Sequence, residues 1–169
     1  MWYKGIDWKK LILSVLVCQF AGVIGSIFNI SSIPSWYEGL VKPDIIPPNW
    51  SFSVVWTTIF LLMGIALYLV WMQGWERKDV RYAIGIFGVQ LFLNILWSAL
   101  FFGLRSPVLG LIEIVILWCV IALNIWVFYR ISKPAGYLLF PYIAWVTVAT
   151  YLNYSIMVLN PDLPLIGIL

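Results

Sequence analysis

Apolar residues run along this chain in long, nearly unbroken blocks, separated by short clusters of charge and proline. The blocks have the length of membrane spans: a hydrocarbon core of about 30 Å needs ~20 apolar residues at a rise of 1.5 Å each. Four charge-poor gaps reach that length and a fifth comes close, which predicts helices near 10–28, 51–72, 81–104, 107–129 and 135–158. Together they describe an all-α membrane protein, a five-transmembrane-helix bundle forming one domain over 1–160. Pro161 and Pro164 break the remaining tail, 161–169, which is too short to cross again. The first apolar run is expected to be a span and not a cleavable signal, since it has full length and lacks a well-placed small-residue cleavage site.

One stretch departs from the pattern. Between Pro34 and Trp56, Pro34, Pro43, Pro47 and Pro48 remove backbone donors and fix φ, so a long non-helical loop is expected between helices 1 and 2. Trp36, Tyr37, Trp50 and Trp56 punctuate it with amphipathic rings, which argues against disorder. A loop of that length is usually functional; the plainer reading is an interfacial aromatic belt. Pro47-Pro48 is expected to open the second helix, with Asn49 or Ser51 capping it.

Polar positions inside the spans are few and ordered. Gln90, Asn94 and Ser98 recur every four residues and form one stripe of the third helix, flanked by Trp97. Such a stripe must face protein or a cavity, where hydrogen bonds between helices are worth about 0.6 kcal/mol and up to ~1.7. Trp145, Ala149 and Asn153 form a second stripe on the fifth helix, with Thr150 and Tyr154 nearby. Glu113, roughly 9 Å into the fourth span by helix rise, is costly there as a carboxylate, and Arg105 is its expected partner. Ala21 and Gly25 are a small-xxx-small pair suited to close packing between helices.

Composition closes off whole classes. With 63% hydrophobic and 10% charged residues, and a mean hydropathy of +0.99, the chain cannot clothe a soluble globule. Histidine is absent, which removes His-assisted nucleophilic catalysis, most zinc sites and His-ligated haem. No metal spacing, phosphate loop or nucleophile elbow is present, so no metal is expected. Cys18 and Cys119 each fall near mid-helix and are expected to be reduced. Lys4, Lys9, Lys10, Arg77, Lys78, Arg81, Arg130 and Lys133 fall on one face, against Lys42 and Arg105 on the other. That bias predicts a cytoplasmic N-terminus, with the proline-rich loop and C-terminus outside. The basic residues are scattered at helix ends, which does not suit nucleic acid.

Three runs carry a resemblance. They are Trp36-Tyr37-x-x-Leu40-x-Lys42-Pro43 with Pro47-Pro48, then Gln90-Leu91-x-Leu93-Asn94-x-x-Trp97-Ser98 ending in Phe101-Phe102, then Pro141-Tyr142-x-x-Trp145 with Ala149-Thr150-Tyr151-Leu152-Asn153. In this order, over nearly the whole chain, they resemble the TspO, or translocator protein, family. The resemblance implies a five-helix bundle whose first loop lids an interior pocket, assembled as a homodimer. It implies a receptor or sensor for tetrapyrroles such as protoporphyrin IX or haem, with no obligatory cofactor, and light-dependent porphyrin degradation as an added activity. Carried over by position, the ligand-binding residues are Trp36, Tyr37, Trp56, Asn94, Trp97, Ser98, Trp145 and Ala149, with a photochemical role for Trp145 and Trp36. A pocket of indole rings with a few donors suits a flat apolar macrocycle on physical grounds as well. The vertebrate sterol motif of the family needs a basic residue after Leu152 and Tyr154, and none follows. The looser match Val127, Tyr129, Lys133 is weak. A transporter of porphyrin, sterol or other lipophilic substrates, and a purely structural subunit, are the alternatives. The charge bias favours a prokaryotic cytoplasmic membrane, with lipid and a hydrophobic small molecule as partners.

Overall fold

The computed structural model describes residues 5–167; Lys4, counted above among the cytoplasmic charges, and the last two tail residues lie outside that range. The described chain is helical, in the order α1 (Trp8–Ser32), α2 (Asn49–Trp71), α3 (Lys78–Ser98), α4 (Pro107–Ile131), α5 (Lys133–Tyr137) and α6 (Phe140–Leu159). Five segments are long and apolar enough to cross a membrane, the fifth being α5 and α6 together. Local chemistry sets several ends. Asp7 caps α1 by accepting from the Lys10 N–H at 3.2 Å, and Ser106 caps α4 by accepting from the Leu109 N–H at 3.2 Å, with Pro107 at the first helical position.

Pro34 does not end the first helix. α1 passes directly into a π turn, Ile33–Tyr37, closed by the Glu38 N–H on the Ile33 carbonyl at 3.1 Å. Proline inside an α-helix deletes a bond and crowds the carbonyl four residues back; the wider turn accommodates both defects. α3 ends in the same way, in the π turn Ala99–Gly103, where the Leu104 N–H reaches the Ala99 carbonyl at 2.8 Å. The expected loop between the first two helices, from Pro34 to the opening of helix 2 at Pro47-Pro48, therefore contracts to a connection over 38–48. Helix α2 opens at the expected proline pair, with Pro48 in the N-cap position instead of Asn49 or Ser51. The Ser51 hydroxyl donates back to the Pro48 carbonyl at 2.7 Å.

The fifth span is also not one helix. α5 folds against the end of α4, so closely that a Cβ on Gly136 would lie 2.7–3.0 Å from Tyr129 atoms, two of them backbone. The chain turns at Leu138 and Leu139 before α6 begins.

α4 is the central element, packed on α3, α5 and α6, while α1 lies along α2 and touches α3. α1 and α2 come close at Gly64, where an added Cβ would lie 2.6 Å from the Val15 Cα and 3.1 Å from the Ser14 carbonyl. The core between these helices holds Met63, Phe87, Leu117, Ile121, Phe128 and Tyr142, with Phe87 and Phe128 stacked at 5.6 Å. Ala21 is buried in it, and Gly25 faces the Ser98 hydroxyl, so the small-residue pair serves packing within the chain. A second apolar cluster sits at the end that carries the 38–48 connection. There Leu40, Phe101, Phe102 and Ile156 are buried, backed by Ile33, Trp36, Tyr37 and Leu163.

Candidate functional site

α6 packs on α4 and leaves a space toward α1 and α2, and that space is a cavity of about 460 Å³. Its walls come from α1, α2, α3, α6 and both π turns; α4 stands behind and contributes no lining residue. The volume falls within the ~300–1,000 Å³ typical of small-molecule sites.

The lining is aromatic with a few amides and hydroxyls. Seven of the eight residues expected at a pocket line it: Tyr37, Trp56, Asn94, Trp97, Ser98, Trp145 and Ala149. Trp36 does not. It lies behind Phe101, edge-on at 5.6 Å, and helps to seal that end. Nor does any residue of the 38–48 connection line the cavity; the rings of Tyr37, Phe101 and Phe102 close it, with Leu40 behind them. Of these, Tyr37 lies under the Lys42 ammonium at 4.8 Å, and burial pushes its phenol above the usual range.

The rings hold one another in place. Trp97 stacks on Phe101 at 5.3 Å and 19°, Trp56 stacks on Phe60 at 5.7 Å, and Phe52 meets Trp145 edge-on at 5.5 Å. Stacked and edge-on pairs of this kind add ~0.5–1.5 kcal/mol beyond the area they bury. The other side of Trp145 lines a separate apolar groove of about 350 Å³ between α2 and α6.

Buried amides brace the wall. Gln90, Asn94 and Ser98 are all buried, as the stripe requires. Asn94 donates to the Tyr142 hydroxyl at 2.9 Å and Gln90 donates to the same oxygen at 3.3 Å; Asn124 of α4 donates to Gln90 Oε1 at 2.9 Å. Asn153 accepts from Trp97 Nε1 at 3.2 Å and donates to the Pro107 carbonyl at 2.7 Å, linking α6 to α3 and to the start of α4. Tyr142 and Asn124 went unassigned in the sequence, although Tyr142 precedes Trp145 by three residues and so shares its helix face. Phe52, Phe60 and Asn29, also in the lining, carried no sequence signal that set them apart.

Glu113 is 4% exposed, and neither carboxylate oxygen has a hydrogen-bond partner. The expected pairing with Arg105 is not formed. α4 turns Glu113 inward beside Gly110, Ile114 and Leu117, while Arg105 sits in the preceding turn at φ 53° against Gly167 of the tail. Ion pairs found among the described residues, Lys10 with Asp7 at 3.6 Å and Arg77 with Asp79 at 2.6 Å, lie at helix ends. Cys18 is buried, Cys119 is exposed, and both are free. No three His, Cys, Asp or Glu converge among the described residues.

This arrangement can enclose a planar apolar molecule and offer its edge a few hydrogen-bonding groups; it offers no nucleophile and base in register. The sequence model of the TspO/MBR family matches residues 14–159. The chain is 46% identical over 151 residues to a tryptophan-rich protein TspO of Chlorobaculum tepidum, covering 89% of this chain and 96% of that one. It is 43% identical over 152 residues to the protein of the same name from Archaeoglobus fulgidus, covering 89% and 97%. It is 33% identical over 150 residues to the translocator protein of Sus scrofa, covering 88% and 89%. With five apolar spans and a match of this extent, the chain is an integral membrane protein and belongs to the TspO/MBR family.

Proposed function

We propose that the cavity binds tetrapyrroles, protoporphyrin IX or a haem-like macrocycle, and that this binding is the protein's receptor or sensor function. The observation that carries the reading is the lining: Trp56, Trp97, Trp145, Phe52, Phe60 and Phe101 surround one space of about 460 Å³, with Asn94 and Ser98 as polar groups at its wall. Indole and phenyl faces suit a flat conjugated ring, and a small number of polar side chains fixes its orientation. Titrating protoporphyrin IX against tryptophan fluorescence in detergent tests it. Saturable quenching, weakened at least fivefold in Trp145→Phe, is expected; non-saturable quenching that is equal in the variant refutes it.

Light-dependent degradation of the bound porphyrin fits the same site, with electron transfer falling first on Trp97 and Trp145, which line the cavity, and only through Phe101 on Trp36. Illumination of the complex, with loss of the Soret band dependent on Trp145, tests it. Transport of a lipophilic substrate remains the second reading, read out by protein-dependent flux into sealed proteoliposomes. We further propose a homodimer in a prokaryotic cytoplasmic membrane, N-terminus inside. Native mass spectrometry tests the first. Labelling of E38C by an impermeant maleimide from the periplasmic side tests the second.

A further inference from the structure

The cavity is sealed where it approaches water and open where it approaches lipid. At the end carrying the 38–48 connection, Tyr37, Phe101, Phe102 and Ile156 pack over it, with Leu40 buried behind them. That cap is tied down from outside. Asn160, just past α6, accepts from the Val41 N–H at 2.9 Å and donates to the Val41 carbonyl at 2.9 Å, a two-bond clasp between the connection and the C-terminal end of the bundle.

The side wall is different. α1 and α2 are pressed together at Gly64 and remain in contact at Gly22, where a Cβ would lie 2.6 Å from the Phe60 ring. Gln19 Nε2 donates to the Thr57 carbonyl at 3.1 Å and bridges the two helices. Beyond it, lining residues are also surface residues: Val23 is 57% exposed and Ile30 72%, and Ser53 and Thr57 are exposed as well. All four lie in membrane-spanning segments, so this surface meets acyl chains. Its polar groups suit lipid, because each hydroxyl whose bond is seen is satisfied within its own helix: Thr57 on the Ser53 carbonyl at 2.8 Å and Ser26 on the Val23 carbonyl at 2.7 Å.

We propose that the cavity is loaded from the bilayer, through a lateral window between α1 and α2, and therefore takes ligands already dissolved in lipid. The window is bounded by Val23 and Ile30 of α1 and Ser53 and Thr57 of α2, on the roof side of the Gly64 contact. A route through the roof would instead require breaking the Val41–Asn160 clasp and unpacking four buried side chains, Leu40, Phe101, Phe102 and Ile156. The proposal rests on the tetrapyrrole reading above and goes beyond it by naming the phase that delivers the ligand.

The test uses proteoliposomes of a Cys119→Ser background and the induced circular dichroism of the Soret band, which a porphyrin acquires in a chiral pocket and lacks when dissolved in lipid. Two probes are compared, free protoporphyrin IX and a phosphatidylcholine carrying a porphyrin at the end of one acyl chain. The tethered probe is expected to develop at least half the signal of the free one. In addition, V41C/N160C is cross-linked with a short bismaleimide to lock the roof; loading of free protoporphyrin is expected to stay within threefold of the uncross-linked rate. A tethered signal below half, or slowing beyond threefold on locking, overturns the lateral route while leaving binding intact. No induced signal from free protoporphyrin in any preparation removes the binding reading, and the route with it.

Discussion

Replacing Asn153 by leucine, a near match in volume without polar atoms, breaks two bonds at once: the one received from Trp97 Nε1 at 3.2 Å and the one given to the Pro107 carbonyl at 2.7 Å. In water, each stranded buried group would cost ~1–3 kcal/mol. Inside a membrane bundle the unfolded reference also finds partners, and measured values average about 0.6 kcal/mol with a ceiling of ~1.7. Two bonds then amount to about 1–3 kcal/mol. The decisive number is the coupling with Trp97→Phe, which deletes the donor and keeps an aromatic ring on Phe101. The double-mutant cycle should return about 0.6 kcal/mol and no more than ~1.7, since only one of the two bonds is shared. Equilibrium unfolding in mixed micelles of dodecyl maltoside and sodium dodecyl sulfate, followed by far-UV circular dichroism, supplies all four corners. A coupling indistinguishable from zero, or an Asn153→Leu variant as stable as the parent, refutes the claim that this amide holds α3 to α6.

Other expectations follow from the same coordinates. Gly64→Ala should cost ~1–3 kcal/mol in the same assay and resist rescue, since the obstacle is the Val15 and Ser14 backbone; Gly22→Ala meets only the Phe60 ring and should be relieved by Phe60→Leu. Finding the two glycines equally rescuable would contradict the distinction. Glu113→Leu removes a buried carboxylate whose oxygens have no partner and should stabilise the bundle by about 1–3 kcal/mol; a loss of stability would mean that Glu113 has a partner after all. In folded protein a lipophilic maleimide should modify Cys119 and spare Cys18 until denaturation, as counted by intact mass.

Span number and approximate position were legible because ~20-residue apolar blocks have few other uses. The stripe of Gln90, Asn94 and Ser98 was legible for a related reason: amides in lipid must turn inward, and all three do. What they turn toward was not. Tyr142 and Asn124 carry no mark of their own in the sequence, and only the packing of α3 and α6 on α4 brings them to Gln90 and Asn94. Pro34 misled because proline announces that an α-helix cannot continue, without saying whether the chain leaves the helix or widens it. Arg105 misled because sequence distance to Glu113 says nothing about a turn at φ 53°, which sends the chain toward the tail. Trp36 and Tyr37 are neighbours in sequence, yet one seals and the other lines, a division set by which side of Phe101 each ring takes.

The two π turns carry a cost in chain length. Each spends one residue more per hydrogen-bonded ring than an α turn, and so advances everything after it by about a quarter of a revolution without breaking the rod. Ile33–Tyr37 and Ala99–Gly103 sit at the same end of the bundle, where consecutive aromatic pairs, Trp36-Tyr37 and Phe101-Phe102, are both drawn into the packing. Removing Leu100 alone would let α3 close up as a regular helix and swing Phe101 and Phe102 off their present bearings, while the span itself survived. Single-residue gaps at these two points, harmless by hydropathy, are thus the small length changes to which the shape of the cavity is most sensitive.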